Sequence, residues 1–270
     1  MNYKRKELLA AGPRFNAWRA PLANEVDSWS TWQIDIGETR EGMGREIANG
    51  WRAIGLDRLT HTLDRFEVQQ EAEQVVIETD ISAHANNYNT GFFLRYRYTI
   101  QANGSVRLDT RVSPRGKLTH WLPKMGLQLQ LPDAFHHLEW FGRGPFETYP
   151  DRKTGAKIGR YRTTVEEDYV PYIIPQDYGN KTDVRWLSVT DDSGAGLYIT
   201  GDQLFQASAH PFRTDHLTRA QYTFQLRQDN TVTLNLDHAV SGVGDTSASL
   251  LNPYRVLPGE AAFTFYLHPR

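Results

Sequence analysis

Past residue 60, apolar residues recur mainly at every second position, the period that sends side chains to alternate faces of a strand. Between Phe92 and Ile100 the set Phe92, Leu94, Tyr96, Tyr98 and Ile100 alternates with Phe93, Arg95, Arg97 and Thr99, which predicts one dry face and one mostly wet face. A second alternating run sets Val106, Leu108, Thr110 and Val112 against Arg107, Asp109 and Arg111. It follows Asn103-Gly104, a pair that tolerates the positive φ angles of a tight hairpin turn. The alternation returns in Leu127, Leu129 and Leu131, in Val232, Leu234 and Leu236, and in Phe263, Phe265 and Leu267. The predicted core contains Leu94, Tyr96, Leu108, Leu127, Leu129, Leu234, Leu236, Phe263 and Phe265. Only Gly44 to Ile54 reads as a helix: Met43, Ile47, Trp51 and Ile54 fall on one side at steps of three or four, and Gly55 is a stop signal. Together these elements predict an all-β fold of two large antiparallel sheets packed face to face, with at most one or two short helices.

Composition narrows the partners more than the fold. A chain of 270 residues, 39% hydrophobic and without repeat, low-complexity tract or linker, is expected to form one large domain over residues 1–270. A net charge of −2 from 30 basic and 32 acidic residues leaves no basic footprint for nucleic acid and no polybasic stretch for a membrane. Residues 1–12 have a basic start but too short an apolar stretch for a signal peptide, so a cytoplasmic location is expected unless an export signal lies on upstream sequence. The absence of cysteine excludes disulfides, thiolate metal sites and a cysteine nucleophile. None of the nine histidines forms a metal spacing such as His-Glu-x-x-His, so no metal ligands are assigned. Gly142-Arg143-Gly144 and Gly242-Val243-Gly244 lack the strand-to-helix setting of a phosphate loop and read as turns.

Two stretches carry more than alternation requires. Trp140 to Arg152 and Pro171 to Trp186 are dense in Gly, Pro, aromatic and charged residues, as ordered loops are, with Arg143, Arg152 or Arg185 expected to pair with a carboxylate or carbonyl. Rings beside Asp, Asn and Arg also suit a sugar site, although packing is the commoner use of a buried aromatic. Glycoside hydrolysis needs two carboxyl groups about 5–10 Å apart. Asn24-Glu25 superficially matches the Asn-Glu pair of many glycosidases, but no strand-helix barrel surrounds it, and Glu25 is not assigned as catalytic. Glu166-Glu167-Asp168 and Asp191-Asp192 read as solvated turns.

Taken in order, these motifs resemble the small-chain, or C-terminal, domain of glycoside hydrolase family 2 β-galactosidases, from about Lys6 to the C-terminus. Trp18-Arg19-Ala20-Pro21 resembles that family's opening motif, and Gly142-Arg143-Gly144-Pro145 through Tyr149-Pro150-Asp151-Arg152 its longest signature. Pro171-Tyr172, Pro175-Gln176, Gly179-Asn180 and Val184-Arg185-Trp186 continue the pattern. The resemblance implies a large antiparallel β supersandwich, galactose-mutarotase-like and lacking its first strands here. It implies that the catalytic glutamates belong to a barrel absent from this sequence, on the same polypeptide or a separate large subunit. No catalytic residue and no cofactor is then expected in this chain, and metal ions would belong to the barrel. The chain would complete the galactoside pocket through two loops, Leu22 to Arg40, supplying Asn24, Glu25 and Asp27, and Gly242 to Ser249, supplying Asp245, Ser247 and Ala248. The family resembled usually has Asp where this chain has Ala23 and Glu25, and in the late loop many members have Gly-Gly-Asp-Asp-Ser-Trp, which would set a Trp at Ala248, or a Ser-Cys-Gly variant. Two other classes compete: a carbohydrate-binding module, which the aromatic loops permit, and a mutarotase or aldose-epimerase-like enzyme, which needs a His and a carboxylate in a concave sheet.

Overall fold

The computed structural model describes residues 2, 3, 5–26, 45–244 and 250–270. Just over half of the described residues are strand. A short ribbon of β1 (Asn2–Tyr3) and β2 (Lys6–Glu7) precedes β3 (Ala11–Asn16), and two short helices follow, α1 (Ala23–Val26) and α2 (Arg45–Ala53). Seven strands come next: β4 (Thr60–Glu71), β5 (Gln74–His84), β6 (Gly91–Gln101), β7 (Val106–Arg115), β8 (Lys124–Pro132), β9 (His137–Gly144) and β10 (Lys157–Thr164). The chain ends with β11 (Lys181–Thr190), β12 (Gly196–His210), α3 (Thr214–Arg219), β13 (Thr231–Val240) and β14 (Ala261–Pro269).

The predicted hairpin is present, with β6 and β7 in register from Gly91↔Arg115 to Ile100↔Val106. Gly104 takes φ +85°, and the Asn103 side chain accepts from Ser105 N at 2.9 Å. The predicted helix is α2, which buries Ile47 and Trp51 and is followed by the buried Ile54; Met43 and Gly44 lie outside the described residues. It stops at Gly55, whose φ of +79° suits glycine and where a Cβ would sit 2.5 Å from that of Ala85. Two further α-helices, α1 and α3, exceed the one or two helices expected as a total once α2 is counted. Each is too short for a period of 3.6 to show: α1 has four residues and α3 six, with Leu217 the only buried apolar one in α3.

The two expected sheets are limbs of one continuous sheet of twelve strands that branches at β12. The first half of β12 pairs with β14, leading on to β7, β6, β5 and β4; its second half pairs with β13, leading to β8 and β3. Between Thr200 and Phe205 the register with β11 slips, and such a bulge bends a strand and lets it change partners. The limbs face each other, since the Tyr96 hydroxyl on β6 accepts from Phe15 N on β3 at 2.9 Å and the Phe15 and Phe92 rings lie 4.8 Å apart. All nine predicted core residues are buried in the apolar layer between them. Burying each such side chain contributes about 1.5–3 kcal/mol, which fixes the limbs and so the loops at their ends.

Candidate functional site

The opening motif is a staple. Trp18 packs edge-on against Trp51, which packs edge-on against Trp121, and Trp51 Nε1 donates to Trp121 O at 2.7 Å. Arg19, next to it, is completely buried. It donates to Glu25 Oε1 at 2.6 Å and to the carbonyls of Ser241 and Gly242, each at 2.9 Å. Glu25 Oε2 in turn accepts from Leu22 N at 2.9 Å, closing the turn that leads into α1. Burial would lower the Arg19 guanidinium, but Glu25 and Asp177 outweigh it and hold it above its ordinary value. Burial pushes the Glu25 carboxyl up, with Arg19 opposing. The planar fork of Arg thus ties the segment after β3 to the segment after β13.

The long signature supplies the other wall. Asp151 accepts from Val243 N at 3.0 Å and Gly244 N at 2.8 Å, and Arg152 donates to Gly244 O at 3.1 Å. Gln176 accepts from Ala23 N at 3.0 Å, and Asp177 N donates to Ala20 O at 3.0 Å. These bonds enclose a cleft of about 440 Å³, lined by Asn24, Phe146, Glu147, Arg152, Tyr172 and Asp177 among others. Wider depressions of about 800 and 900 Å³ lie along β3 and over the outer faces of β6, β7 and β14. Apart from Trp18 they hold none of the motif residues, so the smaller cleft is the candidate site.

Of the residues expected at the pocket, Asn24 lines the cleft and donates to Val243 O at 2.8 Å. Glu25 is placed differently: it lies under the loop, only 2% exposed, because its carboxylate is committed to Arg19 and Leu22. Asp27, Asp245, Ser247 and Ala248 lie outside the described residues. The sequence singles out Arg152 only as a pairing arginine, and Glu147, Tyr172 and Asp177 only as members of the signature stretches, not as cleft residues.

The carboxylates on the cleft are engaged in holding it. Glu147 accepts from the Tyr172 hydroxyl and from Gly179 N, the latter at 2.7 Å, and Asp177 accepts from the Tyr149 hydroxyl at 3.3 Å. Burial, with Asp177 and Glu147 nearby, pushes the Tyr149 phenol well above its ordinary value, so it stays a donor. Behind the cleft wall Lys124 lies 2.8 Å from Asp237, both essentially without solvent exposure. Burial pushes the Asp237 carboxyl up to about 6 against the pull of Lys124. His210 is also buried and held below its ordinary value by that burial, with Nε2 on Tyr178 O at 2.8 Å. These groups hold the shape and polarity of the cleft wall.

Several expectations about local structure need correction. Gly142-Arg143-Gly144 is the end of β9, not a turn: a Cβ on Gly142 would lie 3.1 Å from Val184 Cα, and one on Gly144 would lie 2.6 Å from the Tyr161 ring. Lys181 to Trp186 likewise begins β11 instead of extending a loop. The three arginines pair as expected, Arg143 with Asp183 at 2.5 Å, Arg185 with Asp183 O at 2.6 Å, and Arg152 as above. Asp168 is not a solvated turn residue, since it lies 2.6 Å from the buried Lys181. Asp191 is buried too, capping its turn by accepting from Ser193 N and Ala195 N, whereas Asp192 is exposed.

The stapled loops form a shaped edge at one end of a branched antiparallel β-sheet sandwich. Residues 1–267 match the family described as beta galactosidase small chain, and the chain belongs to that family. The β-galactosidase of Priestia megaterium is 31% identical over 99% of this chain, and that of Vibrio cholerae is 34% identical over 86%. The chain spans only 24% and 21% of the length of those two relatives. Among solved structures, the galactose 1-epimerase of Lactobacillus acidophilus aligns with 77% of this chain and 66% of its own at 8% identity and a TM-score of 0.41.

Proposed function

We propose that this chain is an accessory part of a β-galactosidase and that its cleft completes the galactoside pocket beside a catalytic barrel, without supplying the acid and nucleophile. The observation that carries this reading is the Arg19 staple, which joins the described starts of the two loops expected at the pocket, at Glu25 and at Ser241 and Gly242. The relatives' much greater length supports a larger partner region, on the same polypeptide or a separate subunit. Beside the cleft, Phe146, Ile173 and Ile174 are exposed, Ile173 at 89%, and an apolar rim of this kind suits packing against another protein surface. The aromatic faces and polar groups of the cleft suit a sugar ring, whose apolar C–H face and hydroxyls ask for both.

Reconstitution tests the proposal. The chain is mixed with the cognate barrel region, and hydrolysis of a β-galactoside and co-elution are followed together. Activity that depends on adding the chain, and is lost with Ile173→Asp, supports the reading. A barrel region fully active alone, with no association, refutes it. Galactose binding by the isolated chain without any association would instead favour a carbohydrate-binding module.

A further inference from the structure

Two short motifs left unused by the galactosidase reading meet at one point on the surface, carried there by strand register. His137 opens β9 and sits opposite Thr164 of β10 and Thr190 of β11, and the chain leaves Thr190 directly into Asp191 and Asp192. His136 is held from behind, its carbonyl accepting from Val165 N at 2.9 Å and its neighbour Phe135 buried at 2% exposure. The Nε2 atoms of His136 and His137 lie 3.2 and 2.9 Å from the same oxygen, Asp192 Oδ1. All three potential ligand atoms fall within 4.8 Å of one another, the one such cluster of three found among the described residues. The turn carrying Asp192 is fixed independently, because Asp191 accepts from Ser193 N, Ser193 Oγ and Ala195 N and pairs with Lys6.

We propose that His136, His137 and Asp192 form a binding site for a divalent transition-metal ion, Zn²⁺ foremost. Two imidazole nitrogens and one carboxylate oxygen are the donor set of a borderline ion, whereas Mg²⁺ and Ca²⁺ take oxygen ligands. With bonds of about 2.1 Å, ligand atoms on a tetrahedral ion lie about 3.4 Å apart and cis ligands on an octahedral ion about 3.0 Å apart. The observed 2.9 and 3.2 Å are close to those edges, so small side-chain rotations admit the ion without moving the strands. Both imidazoles converge on the same carboxylate oxygen. Asp192 is 84% exposed, which gives an ion access and leaves room for water to complete its shell. The site joins the start of β9 to the turn after β11, so an ion there braces two neighbouring strands. No local spacing announces it, because Asp192 lies 55 residues from His137.

The test uses the full chain free of any affinity histidines. Zn²⁺ is titrated in competition with a chromophoric chelator, Co²⁺ is followed by its visible absorption, and circular dichroism checks the fold. One equivalent should bind with a micromolar dissociation constant, and His136→Asn, His137→Asn and Asp192→Asn should each weaken it by about tenfold or more, while His216→Asn leaves it unchanged. X-ray absorption of the wild-type Zn²⁺ complex should report two imidazoles in the first shell, a readout that needs no variant. No binding at micromolar metal, binding indifferent to the three substitutions, or a first shell without two imidazoles would each overturn the proposal.

Discussion

The cleft end and the outer face of β4 to β7 both carry pairs of basic side chains and carboxylates, but they use them in opposite ways. On the outer face Arg95 pairs with Asp80 at 2.7 Å and Arg107 with Asp109 at 2.9 Å, the arginines more than half exposed. At the cleft end Arg19–Glu25, Lys124–Asp237 and Lys181–Asp168 are almost wholly buried. An exposed pair exchanges water for a partner at little gain, whereas a buried one has given up its water and depends on that partner. The outer face can therefore vary, while the cleft end depends on each buried polar group keeping its partner.

The largest effect should follow from unpairing Arg19. Glu25→Gln leaves a buried guanidinium without its counter-charge and should lower unfolding free energy by about 3–5 kcal/mol, measured by urea denaturation. Replacing both partners, Arg19→Met with Glu25→Leu, should cost less than Glu25→Gln alone, because no charge is stranded. A double variant as unstable as the single would show that the loops need something other than the pair.

Acidity separates the two regions next. Asp237 rises from an ordinary 3.8 to about 6 in the fold, so the folded state binds its proton more tightly. Its contribution is full below about pH 4 and is lost as pH rises through about 6, a swing of about 3 kcal/mol. Asp237→Asn should remove that swing, read as the difference between wild-type and variant stability at pH 4 and pH 7. A pH-independent difference would contradict the buried-carboxyl account. Asp80 on the outer face behaves in the opposite sense, its hydrogen bond to Arg95 holding it below its ordinary value.

Smaller effects should follow at the rim. In the proposed assembled enzyme Asn24→Ala removes the hydrogen bond to Val243 O and should reduce kcat/KM roughly fivefold, equivalent to about 1 kcal/mol, through KM more than through kcat. Arg95→Ala on the outer face should change stability by no more than about 0.5 kcal/mol. A larger loss there would erase the contrast between the regions.

The same contrast explains what the sequence disclosed. β6 and β7 were legible because each alternates over its own length, as in Leu94, Tyr96 and Tyr98 with Arg95 and Arg97 between them, and α2 was legible from Ile47, Trp51 and Ile54, whereas β4 and β5 lack so clean an alternation and were not individually read. The glycines of β9 misled because their reason lies on neighbouring strands, at Val184 and Tyr161. The staple was invisible for a related cause: Arg19 reaches Glu25 only six residues away, but Ser241 and Gly242 lie 222 and 223 residues away. Ordered motifs revealed that the loops belong together, but no periodicity could show which side chains bind them.

The proposed role is to shape a galactoside pocket and to leave the chemistry to another part of a larger enzyme. The direct measurement is steady-state hydrolysis of a chromogenic β-galactoside by the purified chain alone, with circular dichroism confirming its fold. The account predicts no turnover above the uncatalysed rate at any pH, because the cleft carboxylates Glu147 and Asp177 are held by Tyr172, Gly179 and Tyr149. Robust turnover that disappears in Glu147→Gln or Asp177→Asn while the fold survives would contradict it.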